Sequence, residues 1–187
     1  ASEDVRRLDR LVSDISEASR VDAQLSRTRF DRIDIGAMIE AMLAARAARR
    51  SDATAAPRLA FARPRKDTAA VMGDGHRLER AIDNIIDNAL SFSPPDGLVC
   101  VAATAVDGTV RIRIDDEGPG IPPAQREAIF RRFHSERPPG EAFGQHSGLG
   151  LAIARTIIEG HQGSIIALDR EDGRSGASIL ITLPAAD

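Results

Sequence analysis

Leu98–Val106 and Thr109–Asp115 alternate apolar and polar residues on either side of Asp107-Gly108. That pattern specifies an antiparallel hairpin, because period-two alternation buries one face of each strand and Asp-Gly tolerates the positive φ of a tight turn. Ser164–Asp169 and residues 177–183 repeat the arrangement around Asp172-Gly173. Shorter strand-like runs lie at 30–35, 57–62 and Ala70–Gly73. Helical spacing occupies the intervals between them: residues 35–50, with Ile35, Met38, Ile39, Met42 and Leu43 on one face, then residues 74–93 and residues 149–160. Hairpins with interspersed one-faced helices predict an α+β fold, a two-layer α/β sandwich with a mixed, mainly antiparallel sheet and three helices on one face.

The helix at 74–93 contains four Asx residues, Asp83, Asn84, Asp87 and Asn88, although such side chains compete for backbone hydrogen bonds and weaken helices. Asp74 is placed to cap its start. Leu78, Ile82, Ile85, Ile86, Ala89 and Leu90 project to one face, whereas Asn84, Asn88 and Ser91 stack elsewhere at i, i+4, i+7. Carboxamides in a stripe can ligate a hard cation through oxygen and meet phosphate through nitrogen. An ordinary polar helix face is the alternative, and the helix alone leaves both open.

The chain has 187 residues, 42% of them apolar, which suits one compact domain with an appendage. A net charge of −3, no Tyr and no Trp disfavour a nucleic-acid partner, since there are neither basic tracts nor stacking aromatics. All cationic residues but Lys66 are Arg. Cys100, in a strand, reads as a small buried hydrophobe rather than a reactive thiol. No apolar run is long enough to span a bilayer, and the N-terminus lacks a signal pattern. Residues 1–26 place Leu8, Leu11, Val12, Ile15 and Ala18 at helical spacing, an amphipathic helix that wants a partner.

Downstream of the Asx helix, the first hairpin ends in Asp116-Glu117-Gly118-Pro119-Gly120-Ile121, and Ile129-Phe130-Arg131-Arg132-Phe133 comes next. Ser147-Gly148-Leu149-Gly150-Leu151 then opens the last helix. Between them, residues 121–147 obey neither period and are rich in Pro and Gly, a loop long enough to be functional. Each motif alone is weak; their order is specific.

In that order the chain resembles the ATP-binding catalytic domain of bacterial sensor histidine kinases, with asparagine, first glycine, phenylalanine and second glycine boxes. That family lies within the GHKL superfamily, whose Bergerat-type fold is shared with type II topoisomerase subunits, the heat-shock ninety chaperones and mismatch-repair ATPases. The resemblance divides the chain into residues 27–187, the ATP-binding domain with a lid at 121–147, and residues 1–26. The latter resemble the second helix of the family's dimerisation and phosphotransfer hairpin. The segments 132–138 and 143–151 look most like envelope-sensing kinases of the ChvG and ExoS type.

The resemblance implies roles for individual residues. Asp116 would accept a hydrogen bond from the adenine amine, Gly118 and Gly120 would let backbone approach the base, and Gly148 and Gly150 would set a helix N-terminus beside the phosphates. Asn88 would ligate Mg²⁺, with Asn84 one turn earlier; these two are the expected catalytic residues. Phe92, Ile121, Phe133, Ser147, Leu149 and Leu151 complete the expected ATP-binding set. Phe130 and Phe133 would pin the lid. Where relatives commonly carry Lys or Arg, this chain has Ser91, so Arg131, Arg132 or Arg137 would replace the missing phosphate contact.

The implied reaction is transfer of the ATP γ-phosphoryl to a histidine on the hairpin's first helix, then to an aspartate of a response regulator. The phosphoacceptor is not among His76, His134, His146 and His161, which read as surface residues, so the chain reads as starting partway through the hairpin. The expected partners are that histidine helix, the response regulator and a second copy in a homodimer. The expected location is cytoplasmic, with inner-membrane attachment only through preceding segments. Hydrolysis is disfavoured because Asn84 stands where a general-base glutamate would be needed. A nucleotide-sensing interaction module and an anti-sigma-type serine kinase are the alternatives.

Overall fold

The computed structural model describes residues 30–49, 57–62, 69–132 and 148–186. The expected helix over 1–26 and the lid residues 133–147 lie outside the described residues. The described elements run β1 (Asp31–Asp34), α1 (Ile35–Arg49), β2 (Arg58–Ala62), β3 (Ala70–Gly73), α2 (Gly75–Phe92), β4 (Leu98–Val106) and β5 (Thr109–Asp115). Two 3₁₀ turns (Pro123–Gln125, Ala128–Phe130), α3 (Gly150–Gly160), β6 (Ser164–Asp169) and β7 (Ala177–Pro184) complete them.

The main sheet has five strands in the order β2-β4-β5-β7-β6. Only β2 pairs in parallel, with β4; the other neighbours are antiparallel. Asp107 and Gly108 both have positive φ, as the tight β4–β5 turn requires. The β6–β7 connection is instead a loop, residues 170–176. Strands β1 and β3 form a separate antiparallel ribbon rather than extending the sheet. Alternation along four residues says which face is buried but not which strand is the neighbour.

One face of the sheet, carrying Val99, Val101, Ile112, Ile114, Ile179 and Ile181, is fully covered. Helices α2 and α3 pack on it and on each other, while α1 packs against α2 and the ribbon. Ile82, Ile85, Ile86, Ile157 and Ile158 have no exposed surface. Truncating any one of them to Ala would cost about 2–5 kcal/mol through lost burial and a residual cavity. Asp74 caps α2 as expected: its Oδ1 accepts from the Arg77 N–H at 3.2 Å.

Two expectations are corrected. Cys100 is half-buried on the sheet face away from the helices, where burial, then the Asp115 charge, pushes its thiol pKa up. His161 is not a surface residue but 4% exposed. Its Nδ1 lies 2.7 Å from the Ile157 carbonyl oxygen and its Nε2 accepts from the Asp74 N–H at 3.0 Å, which fixes the Nδ1–H tautomer. Its ring stacks on Phe30 at 4.8 Å. A side chain that ties the end of α3 to the cap of α2 has no local sequence signature.

Candidate functional site

Asp116 lies just past the last residue of β5 and is 5% exposed. Its Oδ1 accepts from its own turn, the Gly118 N–H at 2.9 Å, and from the Ala177 N–H at 3.0 Å. Oδ2 accepts no hydrogen bond among the described residues. Burial pushes this carboxyl up from its ordinary value, opposed by the Ala177 and Gly118 amides and by Arg170. A buried carboxylate with one oxygen held and the other available is an acceptor suited to an amine or amide donor.

Gly118 brings the Asp116 turn against the C-terminal end of α2. A Cβ there would lie 2.9 Å from the Phe92 carbonyl oxygen and 3.0 Å from Asp116 Oδ1. Gly120 has φ +81° and passes the Gly176 carbonyl closely. Ile121 packs against the core, and Phe92 is 38% exposed, a large apolar side chain presented beside the turn. Phe130 is buried and pins the start of the expected lid, with the Arg155 guanidinium 5.8 Å above its ring.

One turn back from Phe92, the Asn88 side chain makes no hydrogen bond among the described residues. The main-chain carbonyl of Asn88 accepts from Ser91 Oγ at 3.0 Å, so Ser91 bonds back to its own helix. A further turn back, Asn84 Nδ2 is buried without a hydrogen-bond partner among the described residues. A buried amide donor left unpaired costs about 1–3 kcal/mol, so it calls for an explanation. Asn84 lies against the start of α3: a Cβ on Gly150 would sit 3.7 Å from Asn84 Cβ and 3.9 Å from its Oδ1.

The N-terminus of α3 has no side-chain cap. Gly148 turns into it with φ +69°, Leu149 is buried at the cap position, and Leu151 packs on the core. A helix N-terminus without a side-chain cap among the described residues favours an anion through the helix dipole. From Phe92 to Asn84 is eight residues of helix, about 12 Å at 1.5 Å each. Asp116, Phe92, Asn88, Asn84 and Gly150 therefore lie along one track, with a buried carboxylate at one end and the N-terminus of α3 at the other.

The structure brings together Asn84, Asn88, Phe92, Asp116, Gly118, Gly120, Ile121, Gly148, Leu149, Gly150 and Leu151. Phe133, Ser147 and Arg137 lie outside the described residues. Arg131 and Arg132 are exposed at the end of the described part of the lid. Gly176 escaped sequence reading: its φ is +131°, and a Cβ there would run into the Asp116 carbonyl oxygen. Ser175-Gly176 just before β7 was the available signal. A cavity of about 670 Å³ opens on the other flank of α2, lined by Met42, Arg46, Leu59, Asp83 and Asp87. Arg46 already pairs with both aspartates at 2.7 Å, so those two carboxylates are answered within the fold.

Comparison with known proteins gives the chain's relatives. Residues 73–187 match the family described as histidine kinase-, DNA gyrase B- and HSP90-like ATPases. The chain is similar to the sensor protein ChvG of Rhizobium meliloti (strain 1021), with 41% identity over 194 residues, covering 97% of this chain and 33% of that protein. Among solved structures it resembles a mycobacterial sensor histidine kinase, MprB, with TM-score 0.65 and 33% identity over 83% of this chain and 97% of that one. It also resembles full-length ShkA in complex with AMPPNP, with TM-score 0.71 and 25% identity over 95% of this chain and 36% of that one. The chain spans about a third of the length of the ChvG proteins it matches.

Proposed function

Because the chain belongs to the family of histidine kinase-, DNA gyrase B- and HSP90-like ATPases, on its sensor histidine kinase branch, we propose that residues 73–187 hold Mg-ATP along the track and donate its γ-phosphoryl to a histidine. The observation that carries this reading is the buried Asn84 amide, unpaired among the described residues and one helical turn from Asn88, beside a start of α3 that has no side-chain cap among them. The adenine amine donates to Asp116 Oδ2, the base lies by Gly118 and Phe92, and the phosphates reach the α3 amides. AMPPNP bound to ShkA supports an adenine nucleotide as the ligand.

The donor set also fits a magnesium ion. Among the described residues no group of three His, Cys, Asp or Glu could enclose one. An ion here would be shared between Asn88 Oδ1, water and the phosphates, the usual arrangement for a small hard cation on a nucleotide. When bound, it neutralises phosphate charge. Asn84 contributes Nδ2 toward a phosphate oxygen and cannot accept a proton. A water nucleophile would lack its base, whereas an imidazole attacks with its own lone pair, so transfer to histidine is favoured over hydrolysis.

His161 is not that acceptor, since both its ring nitrogens are engaged inside the fold. The acceptor belongs to a dimerisation hairpin outside the described residues, and an aspartate of a response regulator receives the phosphoryl next. On this reading the domain works on the cytoplasmic side of a membrane-attached sensor. No helix among the described residues is long and apolar enough to cross a membrane. The test is calorimetric titration with ATP and GTP, with and without Mg²⁺. ATP preferred over GTP and strengthened by Mg²⁺ is expected; equal, metal-independent affinities would refute the reading. Addition of the hairpin's first helix should yield acid-labile phosphate, and acid-stable phosphate would point instead to a serine kinase.

A further inference from the structure

Asp116 is the base-reading residue of the proposed function, and any role for the residues that brace it rests on that reading. Apart from the Gly118 amide, every hydrogen bond that fixes Asp116 arrives from residues 170–177. Its N–H donates to the Ala177 carbonyl at 2.9 Å, and the Ala177 N–H donates to its Oδ1 at 3.0 Å. Its main-chain oxygen accepts from Arg170 Nη1 at 2.9 Å. Ser175 Oγ donates to the Gly118 carbonyl at 3.1 Å, holding the next peptide of the same turn.

Arg170 is itself held from two sides. Its Nε and Nη2 donate to the two carboxylate oxygens of Asp172 at 3.0 and 2.5 Å, and only 8% of its side chain is exposed. Asp172 also accepts from the Arg174 N–H at 3.1 Å, which locks the loop that presents it. Gly176 keeps the approach open: a Cβ there would lie 2.9 Å from Arg170 Cδ as well as on the Asp116 carbonyl. A surface Arg–Asp pair two residues apart would by itself contribute little. The third bond, to a main-chain carbonyl 54 residues away at the mouth of the site, is not needed to close that loop.

We propose that Arg170, clasped by Asp172, is a positioning residue for nucleobase recognition: it fixes the peptide after Asp116 from behind the sheet and so holds Oδ2 aimed at the base. A guanidinium suits this because its planar fork serves a carboxylate bidentately while keeping a further N–H for the carbonyl. The Arg170 guanidinium is taken up by Asp172 and the Asp116 main-chain oxygen, so in this role it makes no contact of its own with the nucleotide. Its loss therefore relaxes the choice of base more than it weakens the grip on phosphate.

The test is competition binding to the whole chain by ATP, GTP and inorganic tripolyphosphate. For Arg170→Ala we expect ATP affinity to fall about five- to tenfold, the size of one lost charge-assisted hydrogen bond partly transmitted. GTP and tripolyphosphate should change by less than about twofold on the same scale, so the preference for ATP narrows. Arg170→Lys should restore part of it, because an ammonium reaches the carbonyl without the bidentate clasp. Asp172→Asn should show the same pattern more weakly, and serves if Arg170→Ala does not fold. Parallel losses of ATP and tripolyphosphate, or a lowered melting temperature with the ATP preference intact, would overturn the positioning role and leave a loop tie. A natural chain that does not prefer ATP to GTP would instead remove the base role of Asp116 and this inference with it.

Discussion

Helix α2 carries two Asx pairs at the same spacing, and the molecule treats them oppositely. Asp83 and Asp87 turn toward α1, where Arg46 donates Nε and Nη2 to Asp83 at 2.8 and 2.7 Å and Nη1 to Asp87 at 2.7 Å. Burial works against the Arg46 charge, but the bonds to Asp87 and Asp83 outweigh it and hold its pKa above the ordinary value. Asn84 lies against the start of α3 with its buried Nδ2 unpaired among the described residues, and the partly exposed Asn88 side chain makes no hydrogen bond among them. The first pair is consumed by the described fold; the second is not. Polar residues that cost a helix stability are explained either by an internal partner or by a ligand, and here one turn of helix holds both explanations side by side.

The sharpest way to break this contrast is Asn88→Ala. If the unsatisfied pair serves a metal-bound nucleotide, Mg²⁺ should no longer strengthen ATP binding. Phosphoryl transfer to a supplied histidine hairpin should fall by about a hundredfold or more, as for loss of a group stabilising transferring charge. The melting temperature should hardly move, because no internal bond is lost. Calorimetry with and without Mg²⁺ decides it: a variant still strengthened by the ion would mean that Asn88 is not its ligand. Asp116→Asn should come next, weakening ATP about tenfold while leaving tripolyphosphate unchanged, since an amide placed there is a poorer and misorientable acceptor.

Arg46→Ala attacks the satisfied pair and should do the reverse. Asp83 and Asp87 are 45% and 54% exposed, so water screens much of what they would lose. We expect about 1 kcal/mol of destabilisation, part of it from the alkyl stem of Arg46, with ATP affinity unchanged. Denaturant melts read the first quantity and titration the second. ATP affinity falling with stability would show that the two flanks are not separate.

How much of this division was legible beforehand depends on sequence distance. The hairpin strands Leu98–Val106 and Thr109–Asp115, the α2 cap and its apolar face were readable because alternation, an Asp-Gly turn and i, i+4 spacing are local signals. The Asn stripe and glycine turns were readable as a candidate site for the same reason. The separate β1–β3 ribbon, the parallel β2–β4 pair, the burial of His161 and the use of Arg46 were not. Each depends on which distant segment arrives, as with Arg46 and Asp83, 37 residues apart. Arg170 and Gly176 were missed likewise: a loop arginine and a glycine before a strand look ordinary until the strand that they brace is placed beside them.

The smallest expected effect is on acidification, and it separates an open carboxylate from a satisfied one. Burial raises the Asp116 carboxyl in the folded chain above its ordinary 3.8. Its contribution to stability is therefore complete below the unfolded value and lost as pH rises through the folded one, so mild acid does not unfold the chain through Asp116. Its ability to accept from adenine runs the other way, because the acceptor is the carboxylate and is lost as pH falls through that raised value. Asp172 behaves oppositely: the Arg170 bond, then the Arg174 amide, lowers its pKa to about 2. Its stabilising effect is present above 3.8 and fades only as pH falls through about 2, and its exposure to solvent keeps it small. As pH falls from 7 toward the range in which ordinary carboxylates protonate, ATP affinity should decline before the melting temperature does. Ionisation of the nucleotide's own phosphates is common to all variants, so the comparison is with Asp116→Asn, whose affinity should decline less over the same range. If the two proteins lose affinity in parallel, the Asp116 carboxylate is not the group read by the base, and the open end of the track must be sought elsewhere along α2.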